Sequence, residues 1–169
     1  MHLDNYTLGQ SEGNIELTTA QENHDIALEL VRQARREVYL ATWDLDAPVF
    51  SHQDFAEALS RFVRSSRRAQ AHILLQTPDK AIKQGHRVVA LAQRLSSQLR
   101  IHQPALEHRD YVETFMVVDG IGYIKRMQAD RYEGIASFKA PITGRDLRDL
   151  FLTMWERSSP ETQLRRLQI

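Results

Sequence analysis

Val112-Glu113-Thr114-Phe115-Met116-Val117-Val118-Asp119-Gly120-Ile121-Gly122-Tyr123-Ile124-Lys125-Arg126 is the stretch on which the fold turns. Two runs rich in β-branched and aromatic residues flank an Asp-Gly pair, a strong short-range signal for a β-hairpin. The reading is a strand over 112–118, a turn at Asp119-Gly120 and a returning strand over 121–126.

Toward the N-terminus the pattern changes to strands alternating with helices. Residues 19–36 predict a helix: Thr19 and Glu22 have capping-box spacing, and Ile26, Leu30, Val31 and Ala34 recur at helical intervals. Val38 to Trp43 reads as a buried strand. A second helix starts near Ser51, with Phe55, Leu59, Phe62 and Val63 on one face and Arg64, Arg67 and Arg68 at its C-terminal end, where they oppose the helix dipole. Ala71 to Leu75 is a further buried strand, 79–86 a polar loop, 86–97 a third helix and 99–102 a short strand. Beyond the hairpin come a short strand at 134–138 and a last helix, capped by Thr143 and stopped by Pro160, that buries Leu147, Leu150, Phe151 and Met154.

Alternation requires crossover helices and parallel strands, and the hairpin adds an antiparallel section. The expectation is a single-domain α/β fold, a mixed sheet with helices on both faces. Residues 1–18 form a polar lead-in, turn-rich and flexible over its first part, residues 19–157 the domain, and 158–169 a C-terminal tail.

Composition excludes several chemistries. The chain has no cysteine, so a disulfide scaffold, a thiolate zinc site and a cysteine nucleophile are all ruled out. Twenty-two basic and 22 acidic residues cancel, which speaks against a dedicated nucleic-acid binder. No apolar run is long enough for a membrane span. A cytoplasmic location without membrane contact is expected, and no cofactor signature is present.

Four stretches together carry a family resemblance. Helix 20–36 leading into Val38–Trp43, then Phe55–Gln76, then Phe115-Met116-Val117-Val118-Asp119-Gly120, and finally Phe151-Leu152-Thr153-Met154-Trp155 look like successive parts of phospholipase D-like domains. The resemblance covers residues 19–157 and implies a phospholipase D-like half. That family carries H-x-K-x-x-x-x-D on the hairpin's first strand. Counting back from Asp119, its histidine falls on Val112 and its lysine on Thr114. Its following G-S-x-N stretch falls near Arg126–Ala129, where this chain reads Arg-Met-Gln-Ala. In that family the histidine attacks phosphorus and the lysine offsets phosphoryl charge. Valine has no nucleophile and threonine no cation. The resemblance therefore implies a degenerate site with no catalytic residue, of which Val112, Thr114 and Asp119 mark the place. Asp119 has a simpler role open to it, since aspartate before glycine shapes turns by bonding nearby backbone. The family packs two halves around its site, so the resemblance also implies a homodimer. The late helix, Trp155, Pro160 and Leu164-Arg165-Arg166-Leu167 more loosely resemble an uncharacterised bacterial domain found behind an N-acetyltransferase domain, which would make such a domain an upstream partner.

Other residues are candidates for a pocket. Trp43, Asp44 and Asp46 follow one buried strand and Gln76 the next, and ligands of α/β sheets gather at the carboxyl ends of strands. Asp44 and Asp46 have the spacing to hold a hard cation or to shape a turn. His86 opens a helix, where a histidine either binds an anion with the helix N-terminus or sits exposed in the first turn. Arg126 completes this set, Trp43, Asp44, Asp46, Gln76, His86 and Arg126, and an enzyme with a site rebuilt around Asp44, Asp46, His86 and Arg126 is one alternative. His102, His108 and Asp110 match no zinc motif. Arg61, Arg64, Arg67 and Arg68, with Lys125, Arg126, Arg165 and Arg166, form a possible arginine ridge for nucleic acid, a second alternative that the neutral total charge disfavours. Acids such as Glu57 are the expected partners of the helical arginines.

Overall fold

The computed structural model describes residues 1–166, with side chains through Leu164. The end of the tail, including the Arg165 and Arg166 side chains and Leu167, lies outside the described residues. In chain order the elements are β1 (Ile15–Leu17), α1 (Ala20–Gln33), β2 (Glu37–Thr42), α2 (Ala47–Phe50), α3 (Gln53–Arg64), β3 (Gln70–Leu75), α4 (Asp79–Lys83), α5 (Arg87–Arg94) and β4 (Leu99–Gln103). They continue with β5 (Thr114–Val118), β6 (Gly122–Arg126), β7 (Gly134–Ser137), α6 (Pro141–Glu156), β8 (Ser159–Pro160) and α7 (Thr162–Arg166).

The strands form one eight-stranded sheet in the order β1-β7-β6-β5-β2-β3-β4-β8. β2, β3 and β4 run parallel, and β5 lies antiparallel to β2 with Val38 opposite Val118. β5 and β6 form the expected hairpin. α1, α2, α3 and α5 cover one face, packing Ile26, Leu30, Val49, Phe55 and Leu91 onto Leu40, Ile73 and Met116. α6 covers the other, with Leu147, Phe151 and Met154 against Tyr39, Phe115 and Val117. The mixed α/β sheet with helices on both faces is therefore observed, and it explains why β2 and β5 carry apolar residues at successive positions.

Several local expectations change. The lead-in 1–18 is part of the fold: Ile15–Leu17 pairs with β7, Tyr6 packs its ring on Phe138, and the Gly9 amide donates to the Phe138 carbonyl. The polar loop 79–86 contains the one-and-a-half-turn helix α4. The last helix begins two residues before Thr143, at Pro141 in the first turn, where the missing amide hydrogen costs nothing. It ends at Glu156, and Pro160 instead contributes to β8, opposite His102. The strand expected from Val112 begins at Thr114, leaving Val112 outside it and half-exposed. α1 keeps its capping box, with the Thr19 hydroxyl accepting from the Glu22 amide at 3.1 Å.

On the α6 face, His72 stacks on Trp155 with ring centroids 4.2 Å apart and on Tyr39 at 5.5 Å. Burial, reinforced by Arg100 and His102, holds its pKa down at about 4. The neutral ring is thus the folded form, and below its ordinary 6.5 the unfolded chain binds the proton first. Stability from this group is complete above pH 6.5 and is lost as pH falls toward about 4. A series of urea midpoints between those limits is expected to fall with pH, and His72→Phe to flatten the slope.

Candidate functional site

The carboxyl ends of β2 and β3, the start of β5 and the end of β6 meet at one end of the sheet. The chain leaving β2 turns sharply there. Leu45 takes a left-handed φ of 64° with its side chain fully buried, a conformation that costs a residue other than glycine on the order of 1–3 kcal/mol. Three hydrogen bonds hold it: the Leu45 amide donates to Thr42 Oγ1 at 3.1 Å, the Asp46 amide to Asp44 Oδ1 at 2.9 Å, and His86 Nε2 to the Leu45 carbonyl at 2.8 Å.

This turn aims Asp46 at the end of β6. Arg126 Nη1 donates to Asp46 Oδ2 at 2.7 Å, with the two side chains 3% and 10% exposed. Tyr132 closes the group. Its hydroxyl donates to Asp46 Oδ1 at 3.3 Å, and its ring lies under the guanidinium at 5.3 Å. Burial, then the Asp46 charge, pushes the Tyr132 phenol pKa upward. Thr114 is buried and pairs in register with Arg126, and its Oγ1 has no hydrogen-bond partner among the described residues.

Asp44, Asp46 and His86 line one cavity of about 170 Å³, together with Lys80, Asp130 and Tyr132. Arg126 joins them through Asp46. Trp43 lies in an adjoining depression of about 420 Å³ with Asp44 and Val112. Gln76 is not part of the group: its Nε2 donates to the His108 carbonyl at 2.9 Å.

Asp44 shapes the turn, its Oδ1 accepting from the Asp46 amide, and Asp46 neutralises Arg126. His86 is buried, not exposed in a first turn. Its Nδ1 accepts from the Val88 amide at 3.1 Å while Nε2 donates to Leu45, and burial lowers its pKa. Both ring nitrogens are committed to backbone.

Asp119 also has a specific task. Its turn residue sits at φ 53°, and its carboxylate accepts from the amides of Arg35, Arg36 and Glu37 at 2.9, 2.8 and 3.0 Å. The partners are therefore not in its own hairpin but in the α1–β2 connection and the first residue of β2.

The arginine ridge is smaller than its sequence implies. Arg126 is buried, and Lys125 pairs with Glu113 at 3.4 Å. Arg61 and Arg64 line a groove with Arg87 and Arg94, while Glu57 accepts from Gln53. His102 stacks on Trp155, and its Nδ1 meets Ser158 Oγ at 2.8 Å. Among the described residues, the side chains that do converge in the manner of metal ligands are His24, His52 and Asp54. Sequence reading missed them because they lie on different helices. His-x-Asp at 52–54 was their only local sign. No helix among the described residues is long and apolar enough to cross a membrane.

The fold has clear structural relatives. The phospholipase D family member Nuc from Salmonella typhimurium aligns over 88% of this chain and 99% of its own, with 12% identity and a TM-score of 0.59. NucT from Helicobacter pylori matches to the same extents, at 13% identity and 0.59. TrmBL2, an archaeal chromatin protein with a novel mode of DNA binding, aligns over 89% of this chain at 13% identity and a TM-score of 0.65. The chain spans about half of TrmBL2, 54% of its length. At these identities the likeness is one of fold, and the fold is phospholipase D-like. No curated protein sequence matches the chain. A family model does, over residues 19–167, and the chain accordingly belongs to the family described as a domain of unknown function, DUF7931.

Proposed function

We propose that this chain is a phospholipase D-like module that binds a partner and does not cleave phosphodiesters. The observation that carries the reading is the Asp46–Arg126 pair beside Thr114. Where the resemblance puts a lysine for phosphoryl charge, a neutral threonine is buried. The guanidinium that pairs in register with it, Arg126, is already neutralised by an internal carboxylate. Where it puts the nucleophile, Val112 stands outside the strand with an inert side chain. A phosphate reaching Val112 and Thr114 finds no attacking atom and no positive charge supplied by those two positions.

The surface around the same spot is suited to contact. Trp43 and Val112, 36% and 51% exposed, line one depression, and exposed apolar groups of this kind mark interaction sites. The resemblance points to a second copy as the occupant, paired about a two-fold axis. An upstream acetyltransferase-type domain would be a further partner for the module in the cytoplasm.

The test uses bis(p-nitrophenyl) phosphate as a generic diester. No release of nitrophenol above the buffer rate is expected, and light scattering should give twice the chain mass. Turnover that disappears on a single side-chain change would sink the first half of the reading. A monomer at high concentration would sink the second.

A further inference from the structure

We propose that His24, His52 and Asp54 form a binding site for a divalent transition-metal ion of the zinc type. His24 lies on α1 and is 3% exposed. His52 caps α3, and Asp54 follows in its first turn. One donor atom from each of the three comes within 4.8 Å of the others.

The protons on the two rings are fixed by α2. His24 Nδ1 is 2.8 Å from the Val49 carbonyl, and His52 Nε2 is 2.7 Å from the Pro48 carbonyl. A carbonyl only accepts, so each of these nitrogens carries the hydrogen. In the neutral rings the remaining nitrogens, Nε2 of His24 and Nδ1 of His52, then hold lone pairs. The rings are tilted against each other, with centroids 3.9 Å apart and planes 31° apart. This is the arrangement in which metal-bound histidines are usually found, the far N–H donated to a backbone carbonyl that sets the tautomer.

Asp54 supplies the charge. Its Oδ1 accepts from the Phe55 amide at 2.7 Å, which leaves Oδ2 facing His24 Nε2 at 3.2 Å. A lone pair opposite a carboxylate is repulsive unless a cation lies between them. A proton on Nε2 would satisfy His24 and Asp54 but give no part to His52. A metal ion engages all three. Two imidazoles and one carboxylate match zinc and its neighbours, whereas calcium and magnesium prefer all-oxygen sets. Asp54 is 45% exposed along its side chain, which gives an ion a path in and leaves the fourth position for water.

The full chain, free of any affinity tag, is titrated with Zn²⁺ by calorimetry, and Co²⁺ is used to read coordination from its visible absorption. One saturable site is expected, with Co²⁺ bands typical of four-coordination. His52→Ala and Asp54→Asn, both at half-exposed positions, are each expected to weaken Zn²⁺ binding more than about 10-fold, with the circular dichroism unchanged. Two results would overturn the site: no saturable binding by the wild-type chain, or wild-type affinity in both variants. Either one leaves His24 and Asp54 as a proton-held ion pair.

Discussion

Arg126→Met is expected to lower the free energy of unfolding by about 3–5 kcal/mol, the usual cost of leaving a buried charge without its partner. The partner is Asp46, whose carboxylate is nine-tenths buried at the start of α2 and takes its shortest bond from Arg126. Removing the guanidinium also removes the cation above the Tyr132 ring, leaving a phenol as the remaining side-chain donor. Urea denaturation followed by tryptophan fluorescence measures the effect. The double change Asp46→Leu with Arg126→Met is expected to recover most of the loss, because paired apolar replacements of buried ions are often neutral. A single-variant loss below about 1 kcal/mol would mean that Asp46 is solvated after all. The spot where a related fold handles phosphate would then be open, not closed from within.

Asp119→Ala is the next largest, at about 2–3 kcal/mol, since three backbone donors lose a charged acceptor at once. Alanine is also a poor occupant of the left-handed conformation that residue 119 adopts. Asp119→Asn keeps one oxygen for the Arg36 and Glu37 amides, which both point at Oδ1, and should fall between the two. Amide hydrogen exchange separates the local effect from the global one. Protection at residues 35–37 should drop further than at the centre of β3. Equal loss everywhere would mean that the carboxylate is not what holds this connection.

These expectations explain what could and could not be read from one sequence. β2, β3, α3 and the hairpin were legible because each carries its own signal within a few residues: an apolar run, a helical stripe or Asp-Gly. β1 was not, since Ile-Glu-Leu is too short to show a period and becomes a strand only by pairing with β7. α4 hid in a polar stretch of less than two turns. At the site, the acidic turn after β2 was visible as a break in pattern. Its meaning was not, because Asp46 is defined by Arg126, which lies far away in the chain. The same holds for Asp119, whose partners lie in the connection before β2 and at its first residue. A turn residue can be recognised locally, but the backbone it serves cannot. His86 was misjudged for a related reason. A polar side chain at a helix start is ordinarily exposed, and here α5 begins beneath the turn that Leu45 makes.

The antiparallel contact of β2 with β5 also bears on how the molecule is made. β2 sits in the middle of the sheet, yet one of its two neighbours is encoded well past the midpoint of the chain. During synthesis the chain up to Gln103 can assemble β2, β3 and β4 with their helices, but it leaves a bare, apolar strand edge along Val38–Ala41 until Phe115–Val118 emerges. Such long-range pairing slows folding and exposes an adhesive edge in the interval. The Asp119 carboxylate, reaching back to residues 35–37, is positioned to latch the late strand as soon as it arrives.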